Sequence, residues 1–220
     1  MADMEVRNAT EDDLDAVMAV ERSWPEDQRA TIDHFRSRLE RFPQGFWVGE
    51  ADGIIVGVTT SCLVHYDPKH PGTCKSWDLV TNKGHLYPIE EIVEPNALYI
   101  VSTAISKSHQ GKGLLQAFFR KHKALTHELR LPYSLTGSML PRYDAYCRAH
   151  REIPAHEYAL LRVRGKPVDP LMRTIFAAGY DIPDKRHVMA DYYPSRESRN
   201  YGAIMVYRNE ALAAEQAGAP

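Results

Sequence analysis

The sequence predicts a mixed α/β domain in which strands and helices alternate, and three observations carry that reading. Ala97-Leu98-Tyr99-Ile100-Val101-Ser102-Thr103-Ala104-Ile105 is rich in β-branched and aromatic residues, as a buried strand requires. A polar turn from Ser106 to Gly113 follows it, and then Leu115, Phe118, Phe119, His122, Leu125 and Leu129 recur at helical spacing. Ahead of this unit the order is strand, two helices, hairpin; behind it further strands and helices alternate.

The elements can be justified in turn. Met4 to Ala9 alternates and reads as a short strand. Thr10-Glu11-Asp12-Asp13 sets an N-cap residue before first-turn acids, and Leu14, Val17, Met18 and Glu21 continue at helical spacing until Trp24-Pro25. A second helix is expected from Gln28 to Arg41, with Ile32, Phe35 and Leu39 on one face, ended by Pro43-Gln44-Gly45. Phe46 to Glu50 and Ile54 to Val64 flank Asp52-Gly53, a hairpin signature. Residues 66–95 hold four prolines and little periodicity. A stretch of about 30 residues is too long for an ordinary connection. It is either a lid-like insertion over a substrate site or a surface excursion, and Trp77, Leu86 and Tyr87 favour the lid.

Beyond the central helix, Tyr133 to Ser138 reads as a strand and Pro141 to Cys147 as a helix, opening an extra helical segment over 141–166. Asp169-Pro170 places an N-cap before proline at the first helical position, and that helix stops at Gly179-Tyr180. Asp181 to Tyr192 and Tyr201 to Tyr207 supply two last strands, and residues 209–220 are expected to fray.

Composition narrows the function classes. With 44% hydrophobic and 25% charged residues, the chain is ordinary for a globular protein of 220 residues. A net charge of -2 and a pI near 6.6 argue against a nucleic-acid partner. No apolar run is long enough for a membrane span, and no membrane association is expected. Cys62, Cys74 and Cys147 are odd in number and follow no metal spacing. They suggest a reducing compartment and no metal. The first residues carry no basic or apolar signal region, so the expected location is cytoplasmic.

The turn carries the most specific signal. Two glycines, Gly111 and Gly113, stand where the helix begins. Free N–H groups and the positive end of the helix dipole suit a phosphate there, and Lys112 adds a mobile positive charge. The turn is neither a Walker loop nor G-x-G-x-x-G, because Gln116 stands three residues after Gly113. Gln110-Gly111-Lys112-Gly113 resembles the pyrophosphate loop of the GNAT acetyltransferase superfamily, Q/R-x-x-G-x-G/A, although Leu115 stands where the last Gly or Ala belongs. The order of flanking elements matches that superfamily as well. Gly137 to Tyr146 and Val168 to Tyr180 are similar to GNAT domains fused to nitrilase-like hydrolases, and less closely to the GNAT-like loading domains of polyketide synthases.

The resemblance implies a single GNAT domain over 1–208, with a mostly antiparallel sheet of about six or seven strands flanked by helices. In it, the strand at 133–138 splays from the central strand and admits the pantetheine arm of acyl-coenzyme A (acyl-CoA). Ser102, Thr103, Ala104 and Ile105 would pair with that arm. Gln110, Gly111, Lys112, Gly113, Leu114 and Leu115 would hold the diphosphate. The implied activity is transfer of acetyl from acetyl-CoA to a small-molecule amine or a carrier protein. The alternatives are malonyl-CoA decarboxylation with S-acetyl transfer, and acyl-CoA binding without turnover. A homodimer is common in the superfamily.

The catalytic groups are less plain. The tyrosine that many GNAT enzymes use as acid, four residues before the terminal glycine of the last helix, is replaced by Ile175. Tyr143 and Tyr146, three apart on one helix face, are the candidate substitutes, with Asp144 behind them. Ser138 is a candidate donor to the thioester. Thr103 is a candidate for decarboxylation, for which Asp144, His150 and His156 lie where a partner histidine is sought. No glutamate stands on the central strand to act as base.

Overall fold

The structure, a computed structural model, describes residues 4–218. The chain runs β1 (Met4–Asn8), α1 (Leu14–Glu21), α2 (Ile32–Arg41), β2 (Phe46–Ala51), β3 (Ile54–Val64), α3 (Trp77–Thr81), β4 (Ala97–Ile105), α4 (Leu114–Glu128) and β5 (Tyr133–Met139). It continues with α5 (Tyr143–Ala149), α6 (Ala155–Leu160), β6 (Arg162–Val163), β7 (Lys166–Pro167), α7 (Pro170–Ala177), β8 (Val188–Met189), β9 (Gly202–Arg208) and α8 (Glu210–Gly218). Local chemistry sets the boundaries. Asp52 and Gly53, at φ 51° and 76°, make the tight turn between β2 and β3. Thr31 accepts from His34 N, which starts α2 four residues later than expected, and Asp169 accepts from Leu171 N and Met172 N to start α7.

Seven strands form one sheet in the order β1-β2-β3-β4-β5-β9-β8. Among the described residues only the β4–β5 pair is parallel, so the mostly antiparallel mixed sheet is as expected. α1 and α2 cover one face through Val17, Val20 and Phe35. α4 and α7 cover the other through Phe118, Phe119 and Ile175.

The feature that positions the site is the parting of β4 and β5. They pair from Ala97–Tyr133 to Ile100–Thr136 and no further, while β5 stays on β9 as far as Met139–Gly202. A bulge begins where they part. Thr60 faces Ser102 and Ser61 faces Ile100, which leaves Val101 as the extra residue and bends β4. The bulge carbonyl is satisfied from the insertion, where the Trp77 indole N–H donates to Val101 O over 2.8 Å.

Three expectations are corrected. Residues 181–192 form no continuous strand: one bridge at Asp181–Val206 and the two-residue β8 are all that pair. Pro183 lacks an N–H, and Asp184 instead accepts from Arg186 N and caps a short turn of helix. Second, the segment expected to fray is helical over Glu210–Gly218, anchored by buried Leu212 and by Asn209, whose amide donates to Leu131 O; residues 219–220 lie outside the described residues. Third, a small hairpin, β6–β7, turns on Arg164 and Gly165 within the extra segment.

The insertion at 66–95 is a packed wall. Leu86 is buried, and Ser37 Oγ and Arg38 Nε donate to His85 O and Gly84 O respectively. Trp77 N donates to Tyr192 O.

Candidate active site

The loop between β4 and α4 presents backbone rather than side chains. Gly111 and Gly113 have φ of 75° and 92°, the left-handed region that only glycine enters cheaply, and open space surrounds the Cβ position of each. Among the described residues, the first amide of α4 with an intramolecular carbonyl partner is that of Ala117, which donates to Gly113 O. The amides of Leu114, Leu115 and Gln116 therefore stand at the positive end of the helix dipole without partners. Gln110 Nε2 donates to Ile105 O, tying the loop to the end of β4.

From this loop a cleft of about 680 Å³ runs through the gap between β4 and β5 to the face covered by α1 and α2. Of the residues singled out in the sequence, it gathers Ser102, Thr103, Ile105, Gln110, Gly111, Gly113, Leu114, Leu115 and Ser138. Ala104 is buried against α1, and Lys112 is exposed beside the loop; neither lines the cleft. Ile175, in the place of the usual acid, lines it as an apolar side chain.

The two candidate tyrosines are elsewhere. Tyr143 is buried, donates its hydroxyl to Ile153 O over 2.7 Å and packs on Tyr158 and Tyr201; burial pushes it up to about 12. Tyr146 stacks between Tyr158 and His150. Both pack into the core around α5 and α6, and neither lines the cleft. Asp144 is held below its usual range by Arg199 and Arg148, and neither it nor His150 nor His156 lines the cleft. Ser138 lines it, but its hydroxyl donates to Met139 O.

Tyr192, which was not among the residues singled out in the sequence, lines the cleft where Tyr143 and Tyr146 do not. Its ring lies across Gly137 of β5 and Gly202 of β9: a Cβ on Gly137 would fall 1.6 Å from the Tyr192 hydroxyl, and one on Gly202 2.2 Å from the ring. Its hydroxyl bonds that of Tyr99, and it lines the cleft where the strands part. Burial pushes Tyr192 well above the ordinary tyrosine range, so the hydroxyl is a proton-bearing donor at neutral pH. The available signal was the pair of strand glycines, which mark a close approach of another group.

The opposite end of the cleft is charged and buried. Arg38 on α2 is 1% exposed. Its Nε donates to Gly84 O over 2.8 Å, and its Nη1 donates to Ser102 Oγ over 2.8 Å and Thr60 Oγ1 over 3.3 Å. Among the described residues, no carboxylate lies within salt-bridge distance of it. Burial lowers it to about 10, so it remains a cation at neutral pH. Glu21, at the end of α1, is 3% exposed; Oε1 accepts from Ala30 N over 2.8 Å, while Oε2 is buried without a partner among the described residues. Burial raises the Glu21 carboxyl, partly offset by the Ala30 amide and the Arg38 charge.

Thr103 begins a third arrangement. Its Oγ1 lies 2.7 Å from that of Thr59, which lies 2.9 Å from Nε2 of His122 on α4. His122 is buried against the edge of Trp47, its Nδ1 has no partner among the described residues, and burial pushes it down to about 3. A neutral imidazole thus sits two hydrogen bonds from the cleft.

Comparison with known proteins joins this geometry to a fold family. The GNAT-like loading domain of CurA from Lyngbya majuscula superposes with a TM-score of 0.74 at 20% identity, covering 95% of this chain and 99% of that one. The GNAT-like decarboxylase GphF, solved with isobutyryl-CoA, gives a TM-score of 0.74 at 20% identity over 93% and 98% of the two chains. The chain is a GNAT-fold protein. In sequence, it is 27% identical over 209 residues to the uncharacterized N-acetyltransferase YkwB of Bacillus subtilis, spanning 93% of this chain and 88% of that protein. No protein-family model matches the sequence. Among the described residues, no helix is long and apolar enough to cross a membrane, and no cluster of three or more His, Cys, Asp or Glu is placed to hold a metal ion.

Proposed function

We propose that this GNAT-fold protein is an acyl-CoA-dependent N-acetyltransferase, moving acetyl from acetyl-CoA to an amine. The observation that carries the reading is the continuity of the cleft. It begins at the partnerless amides of α4, passes the free edge of β4 and ends at buried polar groups on the other face of the sheet. In this reading the backbone of Gly111, Gly113, Leu114 and Leu115 holds the diphosphate, with Lys112 adding a surface charge. The edge of β4 from Ser102 to Ile105 pairs with the pantetheine amides, which directs the thioester into the gap beside Tyr192.

The chemistry follows from the two ends. Glu21 takes a proton from the incoming ammonium, and burial gives its carboxyl the raised affinity that this step needs. The amine nitrogen bonds the thioester carbon, and as the carbon–sulfur bond breaks the Tyr192 hydroxyl gives the leaving sulfur its proton; the second proton, shed by the acylated nitrogen, restores the tyrosine hydroxyl, and Glu21 releases the first to solvent. The products are the N-acetylated amine and free CoA.

One observation favours a second reading. Thr103 reaches the cleft and is linked through Thr59 to His122, a threonine and a histidine near the thioester site, as decarboxylation of malonyl-CoA with S-acetyl transfer needs. GphF, a decarboxylase, shares the fold.

Incubation with acetyl-CoA and with malonyl-CoA, alone and with amines and carrier proteins, separates the readings by mass spectrometry. N-acetylated amine with malonyl-CoA untouched is the expected result. Acetyl-CoA appearing from malonyl-CoA overturns it in favour of the second reading, and tight binding with neither thioester consumed leaves a binding module.

A further inference from the structure

The charged end of the cleft specifies more than an amine. A buried guanidinium with no carboxylate beside it is costly, because a charge removed from water is normally balanced by a partner. Arg38 holds three protein acceptors through Nε and Nη1, which fix the plane of the guanidinium. Its Nη2 has no protein partner among the described residues. Glu21, close enough for its charge to act on Arg38 yet not in contact with it, also has one side satisfied and one side free. The two groups line the same cleft end, walled by Trp24 and Trp77. One free donor edge of a fixed cation and one free carboxylate oxygen, both desolvated, form a pair of opposite charges waiting for the complementary pair.

We propose that the acceptor is an amino acid or a close analogue, its carboxylate bound by Arg38 and its amine by Glu21, with Trp24 and Trp77 contacting its side chain. The inference rests on the N-acetyltransferase reading for its assignment of Glu21, but the binding it describes is measurable without turnover. It excludes simple alkylamines and polyamines as good acceptors, since they would leave Arg38 buried and unbalanced. A site with a buried polar group made for a substrate group rejects analogues lacking that group by orders of magnitude.

The test uses the full chain loaded with CoA or acetyl-CoA. The twenty L-amino acids, their amides and their decarboxylated amines are titrated by calorimetry and assayed for acetylation by mass spectrometry. At least one amino acid is expected to bind and react at least about 100-fold better than its own amide and amine, the scale of a lost buried charge partner. Arg38→Met should collapse that ratio below about tenfold; Arg38→Lys, which keeps the charge in the buried site, should retain part of it.

Four outcomes are decisive. Strong carboxylate-dependent binding without acetylation upholds the proposal and removes the acetyl-transfer reading. Acetylation of amines as efficient as that of the matched amino acids upholds the enzyme and removes the proposal. Arg38→Met that weakens malonyl-CoA but not amino acids assigns the guanidinium to the acyl group and also removes it. Neither binding nor acetylation of any amino acid overturns the proposal, and acetylation across the amine and carrier-protein panel then decides the N-acetyltransferase reading separately.

Discussion

At one end of the cleft the groups that face a ligand are backbone amides at the start of α4, set by two positive-φ glycines within a few residues of one another. At the other they are side chains, Glu21 and Arg38, buried and oriented by Ala30, Thr60, Gly84 and Ser102 from separate parts of the chain. In the proposed reading the first end holds the diphosphate of CoA through its backbone. The second can vary without disturbing the first, because no strand or helix start depends on which charges it carries. A fold built this way keeps its donor while its acceptor changes.

The largest effect tests the backbone end. Gly113→Asp places a side chain where φ is 92° and sets a negative charge at the mouth of the α4 amides. Open space surrounds Cβ, so the side chain meets no clash; the positive φ strains any residue but glycine, and the loss is therefore read in binding by the folded variant. CoA affinity should drop by at least about 100-fold, or ~2.7 kcal/mol, combining lost amide contacts with like-charge repulsion. Calorimetry on the folded variant checks it, and an unchanged Kd removes the loop from the site.

That contrast also explains what the sequence made legible. β4, the loop and α4 are contiguous, and each is specified by local composition: β-branched residues, two glycines, then 3.6-residue periodicity. The parting of β4 from β5 was inferable only through the likeness to a family. Arg38 and Glu21 read as ordinary helix residues: Arg38 is held by Gly84, from an insertion with no periodicity of its own, and Glu21 by Ala30 in the connection between α1 and α2. Tyr143 and Tyr146 share a helix face as their spacing implied, but spacing does not say which way that face turns. It faces Tyr158, and the hydroxyl near the gap belongs to Tyr192, which reaches the site from an irregular segment.

Tyr192→Phe probes where the two ends meet. The substitution preserves the ring that Gly137 and Gly202 accommodate and removes the hydroxyl shared with Tyr99. If that hydroxyl protonates the leaving sulfur, kcat should fall about 100-fold, the usual scale for a positioned acid, with acetyl-CoA affinity within about twofold. A kcat within threefold of wild type at about the same KM would mean that the sulfur takes its proton from water.

A pH series compares the neutral histidine beneath β4 with the charges at the acceptor end. Burial lowers the folded-state value of His122 to about 3, below that of the unfolded chain near 6.5. Between those values the unfolded state binds a proton that the folded state does not. This contribution to stability is therefore complete above about pH 6.5 and is lost as pH falls towards 3, at up to ~1.4 kcal/mol per pH unit. His34 and His187 are lowered by burial as well and act in the same direction, so the informative quantity is a difference. His122→Gln should lose about 2 kcal/mol less than wild type between pH 7 and pH 5 in urea unfolding. Parallel pH profiles for the two proteins would show that His122 does not resist protonation.

The smallest effect on acetyl transfer is expected from Thr103→Val, and it decides what the threonine does. Valine matches the shape of threonine and suits a strand, while Thr59 keeps its contacts with Ser102 O and His122. If Thr103 only lines the cleft, N-acetylation should change by less than about threefold, because the lost hydrogen bond is worth about 1 kcal/mol at most and is present in ground and transition states alike. If instead Thr103, Thr59 and His122 act together on a malonyl thioester, the same substitution removes the only member of that chain exposed to the cleft. Any conversion of malonyl-CoA to acetyl-CoA would then disappear while CoA binding at the α4 amides stayed intact. The ratio of the two activities in one variant thus reads out whether the gap between β4 and β5 merely guides the thioester or also acts on it.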